Sequence, residues 1–450
     1  MDATAYRDGL VALRRELHRR PEPAWCEYYT TARIVDELKQ IGVDELHIGP
    51  DAIAADARQS VPDEETLTTW LGRARATDVD QAVLDQLTGG HTGVVAELAG
   101  DAPEQGPTVA LRVDIDGLPR EEATTADHTP VQEEFRSEHD GHMHACGHDA
   151  HAAIGVGVVK ALSEASFPGR AKVIFQPAEE QIGGGPAIAQ SGHLDDIDAL
   201  LAVHVGLDHP TGEVVAGVDG FLAVTNLEAT FRGEGAHAGG RPERGRNAVQ
   251  AMATAVQNLY AIARHGDGAT RINAGEVNGG SAGNVIPDTA HIVGEVRGET
   301  TALMNYTRDR AEQVLESAAT MHECELSLEY GSEAPSAESD DQPREFVAAA
   351  ADTNDRVETV LDSDALGGSE DASFLMQRVQ DRGGVAAYVG VGTDHPGGHH
   401  TATFDVDETS ILVGVEVLAD ALLAMARAEI DATAQSEHDG TPAGTPPEER

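Results

Sequence analysis

Three apolar runs in this chain each break off onto residues of the kind that hold metal ions. Val109-Ala110-Leu111-Arg112-Val113 leads into Asp114-Ile115-Asp116. Lys172-Val173-Ile174-Phe175 leads into Gln176-Pro177-Ala178-Glu179-Glu180, and Ala199-Leu200-Leu201-Ala202-Val203 ends at His204. Short apolar runs bounded by turn residues read as buried strands. With helical patterns between them, they predict an α/β fold: a mostly parallel sheet with helices on both faces. Sites in such sheets form beyond the carboxyl ends of the strands. The carboxylates and the histidine are placed there together.

Between the first two runs lies His-Met-His-Ala-Cys-Gly-His-Asp-Ala-His, residues 142–151. Thiolate and imidazole are ligand types that suit zinc and its first-row neighbours. Cys146 and His148 are two apart, so a turning loop lets both reach one small ion. A lone histidine would read as a polar loop residue. Four with a cysteine, plus the carboxylates and histidine after the strands, read as a metal centre.

The rest of the chain supplies the frame. Residues 4–40 have helical spacing, broken at Arg20-Pro21-Glu22-Pro23. A polar segment over 50–92 carries a predicted helix near 64–76. An apolar helix is expected over 150–166 and another over 406–430. Between about 220 and 330 the pattern is βαββαβ, a compact two-layer unit. It reads as a second domain inserted into the first, so the predicted division is 1–219 with 331–432, and 220–330. Residues 433–450 read as a disordered acidic tail by composition.

Acidic residues number 78 against 31 basic ones, a formal net charge of -47. The acids are spread along the chain and lysine is scarce, which points to a salt-rich cytoplasm where screening offsets self-repulsion. The lack of a basic stripe argues against nucleic acid. No uninterrupted run of eighteen apolar residues predicts a membrane span, and the N-terminal residues do not read as a secretory signal. Three widely spaced cysteines argue against a disulfide framework and for a reducing compartment.

Seven separated motifs, HACGHDAH, FQPAEE, AVHV, AHAGGRPERGRNAV, GNVIPD, GSEDASF and GHHTATFDVDE, occur in that order. Together they resemble the metal-dependent aminoacylase and carboxypeptidase family, in the amidohydrolase branch with hippurate hydrolase and the indole-acetyl-amino-acid hydrolases. Within that branch the 50–92 insertion looks most like the p-aminobenzoyl-glutamate hydrolases. The resemblance implies two divalent ions, zinc or manganese with cobalt or nickel also fitting, held by Cys146, His148, Glu180, His204 and His400. His399 is the alternative to His400; the family spacing to Phe404 favours His400. It also implies a general base at Glu179 and a ligand-orienting carboxylate at Asp116. Residues 179 and 180 read as an extended segment, whose neighbouring side chains face opposite sides, one toward metal and one toward substrate. Asp114 stands where relatives outside the branch carry a metal histidine, and its role stays open. His142, His144 and His151 are left as structural or supporting.

In the inserted unit His237 matches a histidine that reaches the partner subunit's site and polarises the scissile carbonyl. Asn284 and Arg297 match positions that bind substrate amide and carboxylate; a plain strand ion pair is as good a reading of Arg297. The expectation is a cytoplasmic hydrolase of N-acyl amino acids, using metal-activated water. It would be a homodimer through the inserted unit, or paired with a related second subunit. An aromatic acyl-glutamate such as p-aminobenzoyl-glutamate leads over hippurate-like and indole-acetyl substrates, dipeptides and N-acetyl amino acids. A metal-binding assembly protein without catalysis is the rival class.

Overall fold

The computed structural model describes residues 1–395 and 397–430, so the tail expected from 433 lies outside the described residues. The larger sheet has eight strands. Their order is Glu45–Ile48, Val94–Ala99, Arg170–Gln176, Thr108–Asp114, Ala199–Val205, Val385–Val391, Glu213–Val215 and Thr359–Leu361. The four from 170–176 to 385–391 run parallel. Pairing turns antiparallel at 94–99 and 45–48 on one flank and at 213–215 on the other. Every residue of strands 108–114, 199–205 and 385–391 is buried, as expected of parallel strands covered on both faces.

The predicted N-terminal helix is two, Arg7–His18 and Tyr28–Ile41. Pro21 and Pro23 lie in the break, where their rings disfavour helix in the preceding residues. Both helices pack on His148–Ser163, which also meets the last helix, Thr409–Ala426. That last helix is long and apolar enough by composition to cross a membrane, but 83% of it is buried inside the protein. Its Glu416 is buried too, accepting the Ala3 N–H at 2.8 Å and pairing with Arg356 at 3.2 Å. It is a core helix.

The 50–92 insertion forms helices Glu64–Arg75 and Gln81–Gln86. Asp63 caps the first by accepting the Thr66 N–H at 2.8 Å. Trp70 of that helix packs edge-on against His139 and His142, so the insertion covers the approach to the 142–151 loop.

The smaller sheet is fully antiparallel, in the order Thr270–Gly279, Thr289–Gly298, Ala223–Arg232 and Glu325–Ala334. Helices Ala248–Leu259 and Thr301–Met321 pack on it. Leu227, Phe231, Ile292 and Leu315 belong to a core cluster separate from that of the larger sheet. The element order is the βαββαβ read from the sequence.

Candidate metal centre

Gly147 sits between Cys146 and His148 with φ +88°, just before helix His148–Ser163 begins. A Cβ there would lie 2.5 Å from Val205 Cγ2. Only glycine lets the loop turn this tightly against strand 199–205. The turn presents Cys146 and His148 to His204, the penultimate residue of that strand. Asp114 is likewise the last residue of its strand. Both were expected just beyond the strands.

The ring nitrogens are assigned by their partners. His204 donates its Nδ1–H to the Val205 carbonyl at 2.7 Å, leaving the Nε2 lone pair 3.4 Å from Cys146 Sγ. His148 Nδ1 lies 3.2 Å from Asp116 Oδ1, which turns Nε2 toward Glu180 Oε1 at 3.8 Å. Both of those atoms are buried and have no hydrogen-bond partner. Asp116 also accepts the backbone N–H groups of Glu179 and Glu180, each at 3.1 Å. One carboxylate therefore orients an imidazole and fixes the turn that carries both glutamates.

That turn is not extended. Ala178 has φ +58° and Glu179–Gln181 is a single 3-10 turn, so strand-like alternation does not separate the two side chains. They diverge all the same. Glu180 faces His148 and, through Oε2, His400 Nε2 at 3.4 Å. Glu179 faces Glu370 and Asp371.

Sequence reasoning assigns the acids of the GSEDASF motif no role of their own. In the fold they meet a buried guanidinium. Arg112 donates to Asp114 (2.7 Å), Glu370 (3.0 Å), Asp371 (2.9 Å) and Gln176 Oε1 (2.9 Å). A lone arginine in an apolar run gives little warning of this, because its partners come from three separate segments. Asp114 gains a defined place: it pairs with Arg112 and with His151 Nδ1, and lies 3.5 Å from His148 Nε2. His151 accepts the Val205 N–H on Nε2 at 2.8 Å, so neither of its nitrogens is free. His144 is buried with neither ring nitrogen hydrogen-bonded.

His399 and His400 differ in the same way. Gly206, with φ +88°, has no Cβ to block the His399 ring. His399 Nε2 accepts the Leu207 N–H at 3.1 Å, which leaves its proton on Nδ1, 3.6 Å from Cys146 Sγ. His400 has φ +59° and a side chain more than half exposed, with Nε2 3.4 Å from Glu180 Oε2.

These residues fit divalent cations. Asp114, Asp116, Glu179, Glu180, Glu370 and Asp371 gather with one thiol, and Arg112 is the guanidinium in contact with them. Burial, then the Glu370 charge, pushes Glu179 well above the usual carboxylate range. Burial raises Glu180 to about 8, and burial with the Glu180 charge raises the Cys146 thiol. Burying unpaired charge costs several kcal/mol per group. Thiolate, imidazole and carboxylate donors around a charge-starved point are what zinc and its neighbours bind.

The model for peptidase family M20/M25/M40 matches residues 110–424. The chain belongs to that family. It is 42% identical over 409 residues to an indole-3-acetyl-aspartic acid hydrolase of Enterobacter agglomerans, covering 90% of this chain and 93% of the relative. It is 40% identical over 412 residues to one subunit of the p-aminobenzoyl-glutamate hydrolase of Escherichia coli, with the same coverage. The crystal structure of an aminobenzoyl-glutamate utilization protein from Klebsiella pneumoniae superposes with a TM-score of 0.77 at 35% identity, over 94% of this chain and 97% of that one. Like its M20/M25/M40 relatives, this chain is a metal-dependent amidohydrolase acting on N-acyl amino acids.

In this M20/M25/M40 chain the remaining predicted residues lie on the smaller sheet and the ribbon beside it in sequence. His237 is exposed, and its Nδ1 accepts the Gly239 and Gly240 N–H groups at 3.1 Å each. It pairs with Val285 across a two-stranded ribbon, which puts Asn284 beside it. Arg297 is elsewhere, on strand 289–298, where Glu295 holds its guanidinium through two 3.0 Å bonds. None of the three lines the cavity of about 480 Å³ in front of the metal-binding residues.

Proposed function

We propose that this protein hydrolyses the amide bond between an aromatic acyl group and an acidic amino acid, with two divalent ions held by Cys146, His148, Glu180, His204 and His400. The observation that carries the reading is the orphaned pair His148 Nε2 and Glu180 Oε1, facing each other at 3.8 Å with Glu179 alongside. A non-catalytic assembly protein has no use for that extra buried carboxylate. When bound, the ions supply Lewis-acid activation of water and of the scissile carbonyl. Glu179 takes the proton from the attacking water and returns it to the leaving amine, a role its place beside the orphaned pair allows. Asp116 keeps Glu179 and His148 in register for this.

The cavity wall supports an apolar acyl group. Ile182, Leu207, Val218 and Leu366 line it with Asp208 and Asp364, and no arginine or lysine does so among the described residues. The substrate carboxylates must then meet the ions or groups brought by a second chain. A homodimer in which His237 and Asn284 of one protomer complete the site of the other meets that need, and a related second subunit would serve the same purpose. Indole-acetyl-aspartate and p-aminobenzoyl-glutamate, the substrates named for the two relatives, share an aromatic acyl group on an acidic amino acid. The test is kcat/KM at high salt for those two against hippurate and N-acetyl amino acids. A tenfold preference for either of the last two, about 1.4 kcal/mol in transition-state binding, overturns the substrate class and leaves the amidohydrolase chemistry standing.

A further inference from the structure

A second convergence of ligand-type side chains lies well away from the catalytic centre. Glu97 is on strand 94–99, directly opposite Lys172 in the register and therefore near the start of strand 170–176, whose other end leads to Glu179. Edge strand 45–48 brings Glu45 opposite Glu97 and places His47 two residues along on the same face. His193 follows helix Gly184–Ala189, and its ring lies 4.5 Å from that of His47.

The three donors converge on one place at distances longer than a strong hydrogen bond. His47 Nε2 is 3.3 Å and His193 Nδ1 3.9 Å from Glu97 Oε1. A charge-assisted hydrogen bond would be shorter, about 2.7–2.9 Å. His47 Nε2 is buried with no hydrogen-bond partner. His193 donates its Nε2–H to the Asp51 carbonyl at 2.7 Å, so in the neutral ring the lone pair is on Nδ1 and faces the Glu97 carboxylate. A proton on Nδ1, which the Glu97 carboxylate favours, or a metal ion between the two atoms relieves the repulsion between that lone pair and the carboxylate. Glu45 Oε2, 3.7 Å from His47 Nε2, stands by as a fourth donor. Lys172 Nζ also approaches Glu97, at 3.3 Å, but it is held by Asp196 at 2.8 Å and by the His193 carbonyl at 3.1 Å. Its charge opposes a second cation, while its own bonds draw it toward Asp196 and the His193 carbonyl.

We infer that His47, Glu97 and His193 form a peripheral site for a first-row transition ion such as Zn²⁺, pinning the antiparallel edge of the sheet to the loop after helix 184–189. Two imidazoles and one carboxylate are a donor set that zinc, nickel and cobalt accept. The site is separate from the catalytic ions, so bound metal is the readout and hydrolysis is not.

The test is equilibrium dialysis of the full chain against micromolar Zn²⁺ in molar KCl, which suppresses loose binding to the acidic surface, followed by elemental analysis. Wild type should retain one more ion per chain than His47→Ala/His193→Ala, and the two should hydrolyse substrate at the same rate. A Cys146→Ala chain should lose catalytic metal yet keep the peripheral ion. Zn²⁺ should also raise the thermal midpoint of the Cys146→Ala chain, and not that of the triple variant lacking both histidines as well. Equal metal content in wild type and the double variant overturns the site. So does a double variant that fails to fold, if Glu97→Gln, which keeps the packing and removes the charge, binds as much zinc as wild type.

Discussion

The Leu207 N–H donates to His399 Nε2, while the next residue, His400, turns its ring toward Glu180. An imidazole that accepts on one nitrogen carries its proton on the other, so the Nδ1 that faces Cys146 is a donor to sulfur and has no lone pair for an ion. His400 has no such constraint and faces Glu180. His400→Ala should therefore lose about one ion per chain by elemental analysis, while His399→Ala keeps both and is only modestly slower. The reverse pattern would make His399 the ligand.

Glu179→Gln preserves shape and removes the base. Turnover should fall on the order of 10²-fold or more with metal content unchanged. Glu180→Gln should instead lose metal. If Glu179→Gln loses the ions and Glu180→Gln retains them, the two roles are exchanged.

Chains carrying His237→Ala and chains carrying Glu179→Gln should each be inactive. Mixed under conditions that exchange subunits, they should regain part of the wild-type rate, because some composite sites then hold both intact residues. No recovery after exchange has been verified would place His237 in its own chain's chemistry or outside it.

His18 offers a pH test of stability. Burial and Arg14 oppose its protonation, but Asp149 at 2.8 Å and Glu122 at 3.0 Å outweigh them and raise its pKa to about 9. The folded pKa lies above the ordinary value of about 6.5. Its contribution is thus complete below about pH 6.5 and is lost as pH rises through 9. Wild type should lose stability relative to His18→Gln across that window, by at most about 1.4 kcal/mol per pH unit. A pH-independent difference between the two denaturation midpoints would remove His18 from the titrating set.

With a formal charge of -47, the protein should gain several degrees of thermal midpoint between dilute buffer and molar KCl. Salt at that level shortens the Debye length to about 3 Å and screens the repulsion. A flat midpoint would remove the case for a salt-rich setting.

Local patterns made most of this legible. Strands 108–114, 170–176 and 199–205 showed because apolar runs of four or five residues were fenced by turns, and Cys146, His148 and Glu180 showed because their residue types clustered beside them. Strand 45–48 did not show: Glu45 is exposed and the other three residues are only partly buried, so it has no apolar run to mark it. The Glu179–Gln181 turn reads as extended in the sequence because nothing marks Ala178 for a left-handed conformation. Arg112 and Glu370 were out of reach for another reason. They are 258 positions apart, and their 3.0 Å contact is a product of topology.

Arg14, in the first helix, pairs with Asp149 at 2.7 Å beside the metal loop and with Asp405 at 2.5 Å just beyond His400. The Arg14–Asp405 contact spans 391 residues. During synthesis, a ribosome must deliver nearly the whole chain before this brace can form. Until then the loop that carries Cys146 and His148 lacks its Arg14-mediated link to the segment that follows His400. Contacts of such long range form late and slowly. A chain cut short before Asp405 would carry the loop of Cys146 and His148 without this brace.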